Sequence, residues 1–350
     1  MQLLSLLKEM SLHPKNAEEL KELILQLAVE GKLTAKWRAE NPNTEPASEL
    51  LKRIEAEKQK LIADKKIKKE KPPPPIPEDE LTFELPEDWE WVRLGNIIKI
   101  SSGDGLTSRN MDKDGKIPVY GGNGITGYHS KGNVSKPEIV IGRVGYYCGS
   151  IHLTEELAWV TDNAFITHFS EKNIYRDYLI WLLKGTNLKE NENATAQPVI
   201  SGKKVYPLVV CLPPFEEQKV IVEVVNQLFK EVEQLEELTK ERIALKEDFV
   251  TSALNALTTS DNTTTEWEFL KGQFSTFFTE TSSVKKLRET ILQLAVQGKL
   301  TTKWRAENPN TEPATELLKR IEAEKQQLIA DKKIKKEKPL PPISEDETPF

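Results

Sequence analysis

Residues Ile24 to Pro75 return as Ile291 to Pro342 at a constant offset of 267, changed only at Glu30/Gln297, Ala35/Thr302, Ser48/Thr315, Lys60/Gln327 and Pro73/Leu340. Short units stacked directly on one another build a solenoid. Two copies this far apart read instead as a duplicated module that brackets something else. Within each copy, Leu20, Leu23, Ile24, Leu27 and Ala28, matched by Leu287, Ile291, Leu294 and Ala295, keep a helical apolar stripe. Gly31 or Gly298 follows where a left-handed cap belongs. A turn rich in Asn and Pro comes next (Asn41-Pro42-Asn43, Asn308-Pro309-Asn310), then a second helix predicted from about Pro46 to Lys69, with Leu50, Leu51, Ile54, Leu61 and Ile62 on its apolar face. The Lys-rich stretch Lys65 to Lys71 breaks into Pro72 to Pro75, read as a stiff spacer and a domain boundary.

From Phe83 to about Val210 the pattern changes to short strand-like runs, such as Trp91 to Ile100 and Glu138 to Gly142, separated by Gly, Asn and Asp turns. One helix is expected from Asn173 to Leu183. After Pro213-Pro214 a long helix runs from about Phe215 to Leu257, with Ile221, Val225, Leu228, Val232 and Leu235 spaced by fours and threes as a coiled-coil seam. The seam blurs through Thr239 and Arg242, which predicts one irregular stretch. A Thr-rich linker, Thr258 to Thr265, precedes the aromatic cluster Trp267, Phe269, Phe274, Phe277 and Phe278, read as a short amphipathic segment.

The expected fold class is α+β, one strand-rich globular domain plus long antiparallel coiled-coil helices. The expected boundaries are 1–75, 76–215, 216–257, 258–285 and 286–350. The offset sets Phe350 against Phe83, where the strand-rich region opens, so a second such region would be expected next.

A net charge of −6 argues against a protein that simply coats nucleic acid, because such proteins gain affinity from an excess of Lys and Arg. A reader that shares its affinity with partners escapes that objection. Cys148 and Cys211 lie in hydrophobic or aromatic surroundings, as core thiols do. No charged leader with a long apolar stretch opens the sequence, and no segment approaches the roughly 20 apolar residues that span a bilayer, so a cytoplasmic protein with no membrane partner is expected.

Gly122-Asn123-Gly124-Ile125-Thr126-Gly127 has the three glycines of a dinucleotide fingerprint, but that chemistry needs a buried strand before it and a helix N-terminus after it. Tyr128 to Gly132 does not begin a helix, so a Gly-rich turn between strands is the reading. Leu212-Pro213-Pro214-Phe215 is superficially like the motif with which amino-methyltransferases hold a base amine, but Leu stands where Asn or Asp is needed. It reads as a strand exit with helix-starting prolines, with Glu216 and Glu217 suited to the first turn. The four histidines, His13, His129, His152 and His168, show no ligand spacing, so no metal is expected. No phosphate loop or nucleophile elbow is present. Binding is favoured over catalysis.

Side chains suited to base edges and phosphates are plentiful in the strand-rich region. Arg109, Asn110, Lys116, Asn123, Lys131, Arg143, Lys203 and Lys204, with Lys113, interleave with Tyr120, Tyr128, Tyr146 and Tyr147. An ordinary solvated surface is the plain alternative for each, since charged side chains are mostly exposed whatever they do.

Several ordered runs resemble the target recognition domain of type I restriction–modification specificity subunits. They are Pro118 to Tyr128 (Pro-Val-Tyr-Gly-Gly-Asn-Gly-Ile-Thr-Gly-Tyr), Ile139 to Gly145, Ala158 to Ala164, Gln197 to Ser201 and Leu212 to Gln218, while Leu25 to Val29 with Gly31 to Leu33 resembles the helical region. The resemblance implies a non-catalytic subunit that reads double-stranded DNA and docks modification subunits, and in some assemblies restriction subunits. It implies no cofactor on this chain, with S-adenosylmethionine, ATP and Mg on the partners. Such subunits normally carry two recognition domains held apart by antiparallel helices; this sequence has one. A homodimer reading an interrupted palindrome is therefore expected, with Leu23, Leu27, Ile54, Ile221, Val225, Leu228, Val232 and Leu235 on the partner-facing helices. The rival is a coiled-coil scaffold without sequence preference.

Overall fold

The computed structural model describes residues 16–65, 74–112, 114–188, 199–260, 262–336, 338, 340–341 and 343–344. The chain divides into two units, residues 1–239 and 240–350. Lys113, Gln197, Pro198, Pro72, Pro73 and Phe350, on which expectations above rested, lie outside the described residues.

In the first unit the module forms helices α1 (Ala17–Val29), α2 (Ala35–Glu40) and α3 (Ala47–Ala63). Gly31 takes φ +68°, and a Cβ there would also lie 2.8 Å from Pro86, so both backbone and space require glycine. The second helix is shorter than predicted. It stops at Ala63, and Lys65 turns left-handed with φ +57°, because the lysines beyond Leu61 and Ile62 offer no apolar face to bury.

The strand-rich region follows as β1 (Glu90–Arg93), α4 (Leu94–Ile97), β2 (Ile98–Ser102), β3 (Ile117–Gly121), β4 (Gly124–His129), β5 (Ile139–Gly142), β6 (Ile151–Leu153), β7 (Trp159–Val160), β8 (Ala164–Phe169), α5 (Arg176–Gly185), α6 (Gly202–Val205) and β9 (Val209–Leu212). The expected single run from Trp91 to Ile100 is broken by the one-turn helix α4. There the Leu94 amide makes a last bond in the β1–β9 register, to the Leu208 carbonyl, and the Gly95 amide donates to the Tyr206 carbonyl, before Ile98–Ser102 pairs with β8 in a different sheet. The strands form a four-stranded sheet in the order β2-β8-β5-β6, a three-stranded sheet β4-β3-β7 and a pair β1-β9. Apart from the parallel β3–β7 contact, the pairings are antiparallel. The glycine run forms the β3–β4 turn, as read from the sequence.

Helix α7 (Phe215–Thr259) starts two residues after Pro213 and is continuous through Thr239 and Arg242, so the expected irregular stretch is absent from its backbone. Its first half packs antiparallel to α1. Lys21 Nζ is 3.2 Å from Glu233 while Arg38, beyond the far end of α1, is 2.5 Å from Glu217. Ile24, Ala28, Leu50, Ile54, Ile221, Val225, Leu228 and Val232 share one core with Leu179 and Leu182 of α5. Burial of each large aliphatic side chain of this kind contributes about 1.5–3 kcal/mol.

Glu217 organises that junction. Its carboxylate is fully buried and accepts from Thr34 Oγ1 (2.6 Å), Arg38 (2.5 Å) and the Trp89 indole (2.8 Å), joining the module, the strand-rich region and the long helix at one point. The sequence offered it only as a first-turn acid. The proline run is also less of a free spacer than expected: the buried Arg93 donates to the carbonyls of Pro74 (2.9 Å) and Pro75 (3.1 Å) while pairing with Glu80.

In the second unit the Thr-rich linker contracts, since α7 runs to Thr259 and α8 (Thr263–Gly272) begins almost at once, capped by the Asn262 side chain accepting from the Thr265 amide. The aromatic cluster does pack. Phe249 stacks on Phe277 at 3.9 Å, and Phe274 of α9 (Phe274–Phe277) stacks on Phe278 at 4.5 Å. Helix α10 (Thr281–Val296) runs in the same direction as the distal half of α7. Ser282 bonds Glu247, Lys286 bonds Thr251, and Lys299 beyond its end bonds the Thr258 carbonyl. After Gly298, at φ +74°, come α11 (Thr302–Glu307) and α12 (Ala314–Ala330).

Candidate functional site

The ends of β3, β5 and β8 meet at one rim of the strand-rich region because three backbones approach too closely for side chains. A Cβ on Gly142 would lie 2.1 Å from the Gly122 carbonyl oxygen, and one on Gly122 would lie 2.5 Å from that of Val144. Ser150 Oγ donates to the Gly122 carbonyl (3.0 Å), the Arg143 amide to Asn163 O (2.9 Å), and the Ile200 amide to Arg143 O (2.9 Å). The turn at Asn123, the loop from Arg143 to Gly149, Asp162-Asn163 and the segment leading to α6 are thereby stitched together. Beside them lies a cleft of about 460 Å³ lined by Gly105, Thr107, Ser108, Gly122, Asp162 and Asn163.

Polar and aromatic groups crown this rim. The half-buried Arg143 guanidinium lies over the Phe165 ring (5.2 Å to its centroid) and reaches the Asp162 carbonyl at 3.4 Å. Arginine held on an aromatic face is oriented at small entropic cost. Tyr146 is 81% exposed at the loop tip and meets Tyr147 edge-on at 5.0 Å. Gly145, at φ +95° with open space around it, turns the chain just before that tip. Asn123 projects from the β3–β4 turn, and Arg109 and Asn110 from the 3-10 turn Ser108–Asn110 next to the cleft; all three are exposed. Lys203 is exposed in α6, and Lys204 donates to the Val199 carbonyl (3.2 Å). His152 packs under Gly124, and burial lowers its pKa from 6.5, so the ring beneath the turn is uncharged at neutral pH.

The remaining candidates fall elsewhere. Lys116, Tyr128 and Lys131 are exposed at the opposite end of the β3–β4 hairpin, where Tyr128 stands five residues, about 17 Å, along the strand from Asn123. Tyr120 is a correction: it is buried among Val140, Ala158, Val160 and Ala164, where burial pushes its phenol pKa up, because β3 is the central strand of its sheet and is covered on both faces, Val119 being buried beside it. Among the helical positions, Ile54, Ile221, Val225, Leu228 and Val232 are consumed by the core of their own unit, and Leu235 packs at its edge. Leu23 is exposed and Leu27 half-buried. Asn163 and Asp162, exposed on the rim, were not singled out, although the run Ala158 to Ala164 carried them.

Chemically, the rim offers amides, a guanidinium, lysines and an aromatic pair, the equipment for hydrogen-bonding and stacking on planar, anionic ligands. Among the described residues no three His, Cys, Asp or Glu side chains are grouped to hold a metal ion. Both cysteines are free and buried, and burial raises the Cys211 thiol pKa far above its ordinary value. No described helix is long and apolar enough to cross a membrane.

The sequence profile of the type I restriction modification DNA specificity domain matches residues 86–245. Over 95% of its length the chain is 37% identical to the Escherichia coli type I restriction enzyme EcoAI specificity subunit, and likewise over 95% it is 35% identical to the EcoEI specificity subunit. It spans 60% and 59% of those two relatives. A crystal structure of a type I restriction–modification system S subunit from M. genitalium overlaps 65% of this chain and 57% of its own, at 18% identity and a TM-score of 0.36.

Proposed function

Because the chain belongs to the family of type I restriction–modification specificity proteins, we propose that it reads one half-site of a bipartite DNA target through the rim of its strand-rich unit and docks adenine-methylating modification subunits. The observation that carries this reading is the convergence of Asn123, Arg143, Tyr146 and Asn163 on loops locked together by glycine contacts and backbone hydrogen bonds. A site that reads bases needs side chains held rigidly enough to discriminate, at about 1–3 kcal/mol for each good bidentate pair. Arg143 has the donor pattern for guanine, Asn123 and Asn163 for adenine, and Tyr146 a face for stacking. Arg109, Asn110, Lys203 and Lys204 suit phosphates. The exposed Lys116, Tyr128 and Lys131 would meet the backbone farther along the duplex or a partner.

In this reading the chain performs no chemical step. S-adenosylmethionine, ATP and Mg belong to partner subunits, and two copies pair so that identical recognition units read an interrupted palindrome. A restriction subunit joins through the same assembly. Selection from a pool of random duplexes by the chain with its modification subunit should enrich a split, two-fold symmetric motif. Arg143→Ala should relax one position of that motif, and enrichment of no motif would favour the scaffold reading and overturn this one.

A further inference from the structure

The two modules are nearly identical in sequence, yet different stripes of their first helices are covered. In the first, Ile24 and Leu50 are 0% exposed beneath the strand-rich unit; their counterparts Ile291 and Leu317 are 43% and 46% exposed. Leu292, Trp304, Leu318 and Ile321 continue the same open face. It is the other stripe of α10, Leu287, Thr290 and Leu294, that is buried. The polar half of the junction is also preformed. Arg305 donates to the Gly298 carbonyl and the Thr301 hydroxyl, each at 2.7 Å, as Arg38 does to Gly31 and Thr34. Among the described residues, no carboxylate takes the place of Glu217.

We infer that this open face is a docking surface for the strand-rich unit of a second molecule of this chain, whose Glu217 and Trp89 would seat on Arg305 and Thr301 as they now seat on Arg38 and Thr34. The occupant is specified by the first module, which displays what a surface of this sequence binds. Charge favours it over two second modules packing on each other, since self-pairing would bury two arginines with no acid between them. Exchange of this kind conserves the contacts, so it is a low-cost route to a dimer. The number of covered faces does not change, and because exchange joins two molecules its extent rises with concentration, or wherever a DNA molecule with two half-sites holds two chains together. The inference rests on the dimeric reading above and gives it an interface.

The test uses the full chain. Lys21 and Glu233 mark the junction in the first module, at 3.2 Å, and the 267 offset sets Arg288 against Lys21. Glu233→Cys with Arg288→Cys, treated with a short bismaleimide, should yield a covalent dimer whose fraction rises with protein concentration and falls about five-fold when Arg305→Ala is added, roughly 1 kcal/mol. Lys21→Cys with Glu233→Cys is the positive control, and the two native thiols are buried. A dimer seen by light scattering without this cross-link would overturn the surface and leave the dimeric reading standing. A cross-linked dimer from Arg288→Cys alone would mean that second modules self-pair, which also overturns it. A monomer at every concentration, with no cross-link even on a two-site duplex, removes both.

Discussion

The two helical modules are a comparison that the molecule makes with itself: one sequence, changed at five positions, is core in one place and surface in the other. The helices, the left-handed glycines at φ +68° and +74°, the Arg-to-Gly bonds and even the left-handed lysines, Lys65 and Lys332, are the same in both. Local sequence therefore dictates the conformation of the module. Whether Leu50 or Leu317 contributes to stability depends on what lies against it.

That contrast can be broken in order of size. Glu217→Ala should cost the first unit about 3–5 kcal/mol, since it strips a buried guanidinium, an indole and a hydroxyl of their shared acceptor. Urea unfolding of the first unit would register it, and a loss below 1 kcal/mol would show that the junction is not buried as described. Leu50→Ala should cost about 2–5 kcal/mol, while the identical change at Leu317, measured at a concentration dilute enough for the chain to be monomeric, should stay within about 0.5 kcal/mol, as exposed substitutions do. Equal losses in the dilute monomer would mean that the second module is covered within its own chain. Acid offers a smaller, sharper contrast. Burial lowers the pKa of His152 and His168 from 6.5, so the native first unit binds fewer protons than the unfolded chain just below that value. The stability these rings contribute is present above pH 6.5 and lost as pH falls through their native values. The second unit contains no histidine, so hydrogen exchange between pH 7.5 and 5.5 should accelerate in 139–169 relative to 281–296. Smallest in stability is Tyr146→Ala, within about 0.5 kcal/mol for so exposed a side chain, while DNA affinity falls by about 1–3 kcal/mol if the ring stacks on a base.

Much of this was readable from the residues. Gly31 and Gly298 announced caps, the glycine run a hairpin turn, and the apolar spacing after Pro214 a long helix, because each is settled by local backbone or periodicity. Asn123, Arg143 and Tyr146 were likewise visible as polar or aromatic residues in Gly-rich loops. What escaped depended on distant partners. Glu217 looks like any first-turn acid until Arg38 and Trp89 reach it from 179 and 128 residues away. Trp91 to Ile100 reads as one strand, yet its first half pairs with β9 and its last residues with β8, in separate sheets that only distant segments supply. Tyr120 looks like the exposed Tyr128, Tyr146 and Tyr147 until β4 and β7 flank its strand and Val140, Ala158 and Val160 cover it; Asn163 joins the site through its carbonyl bond to Arg143.

The central claim is that the rim of the strand-rich unit chooses a DNA sequence for a modifying partner. Single-molecule sequencing of methyladenine in cells that carry the modification subunit, with and without this chain, tests it most directly. A single split motif of methyladenine should appear only when the chain is present and change when Arg143 and Asn163 are replaced together. A methylation pattern indifferent to the chain, or to that replacement, would contradict it.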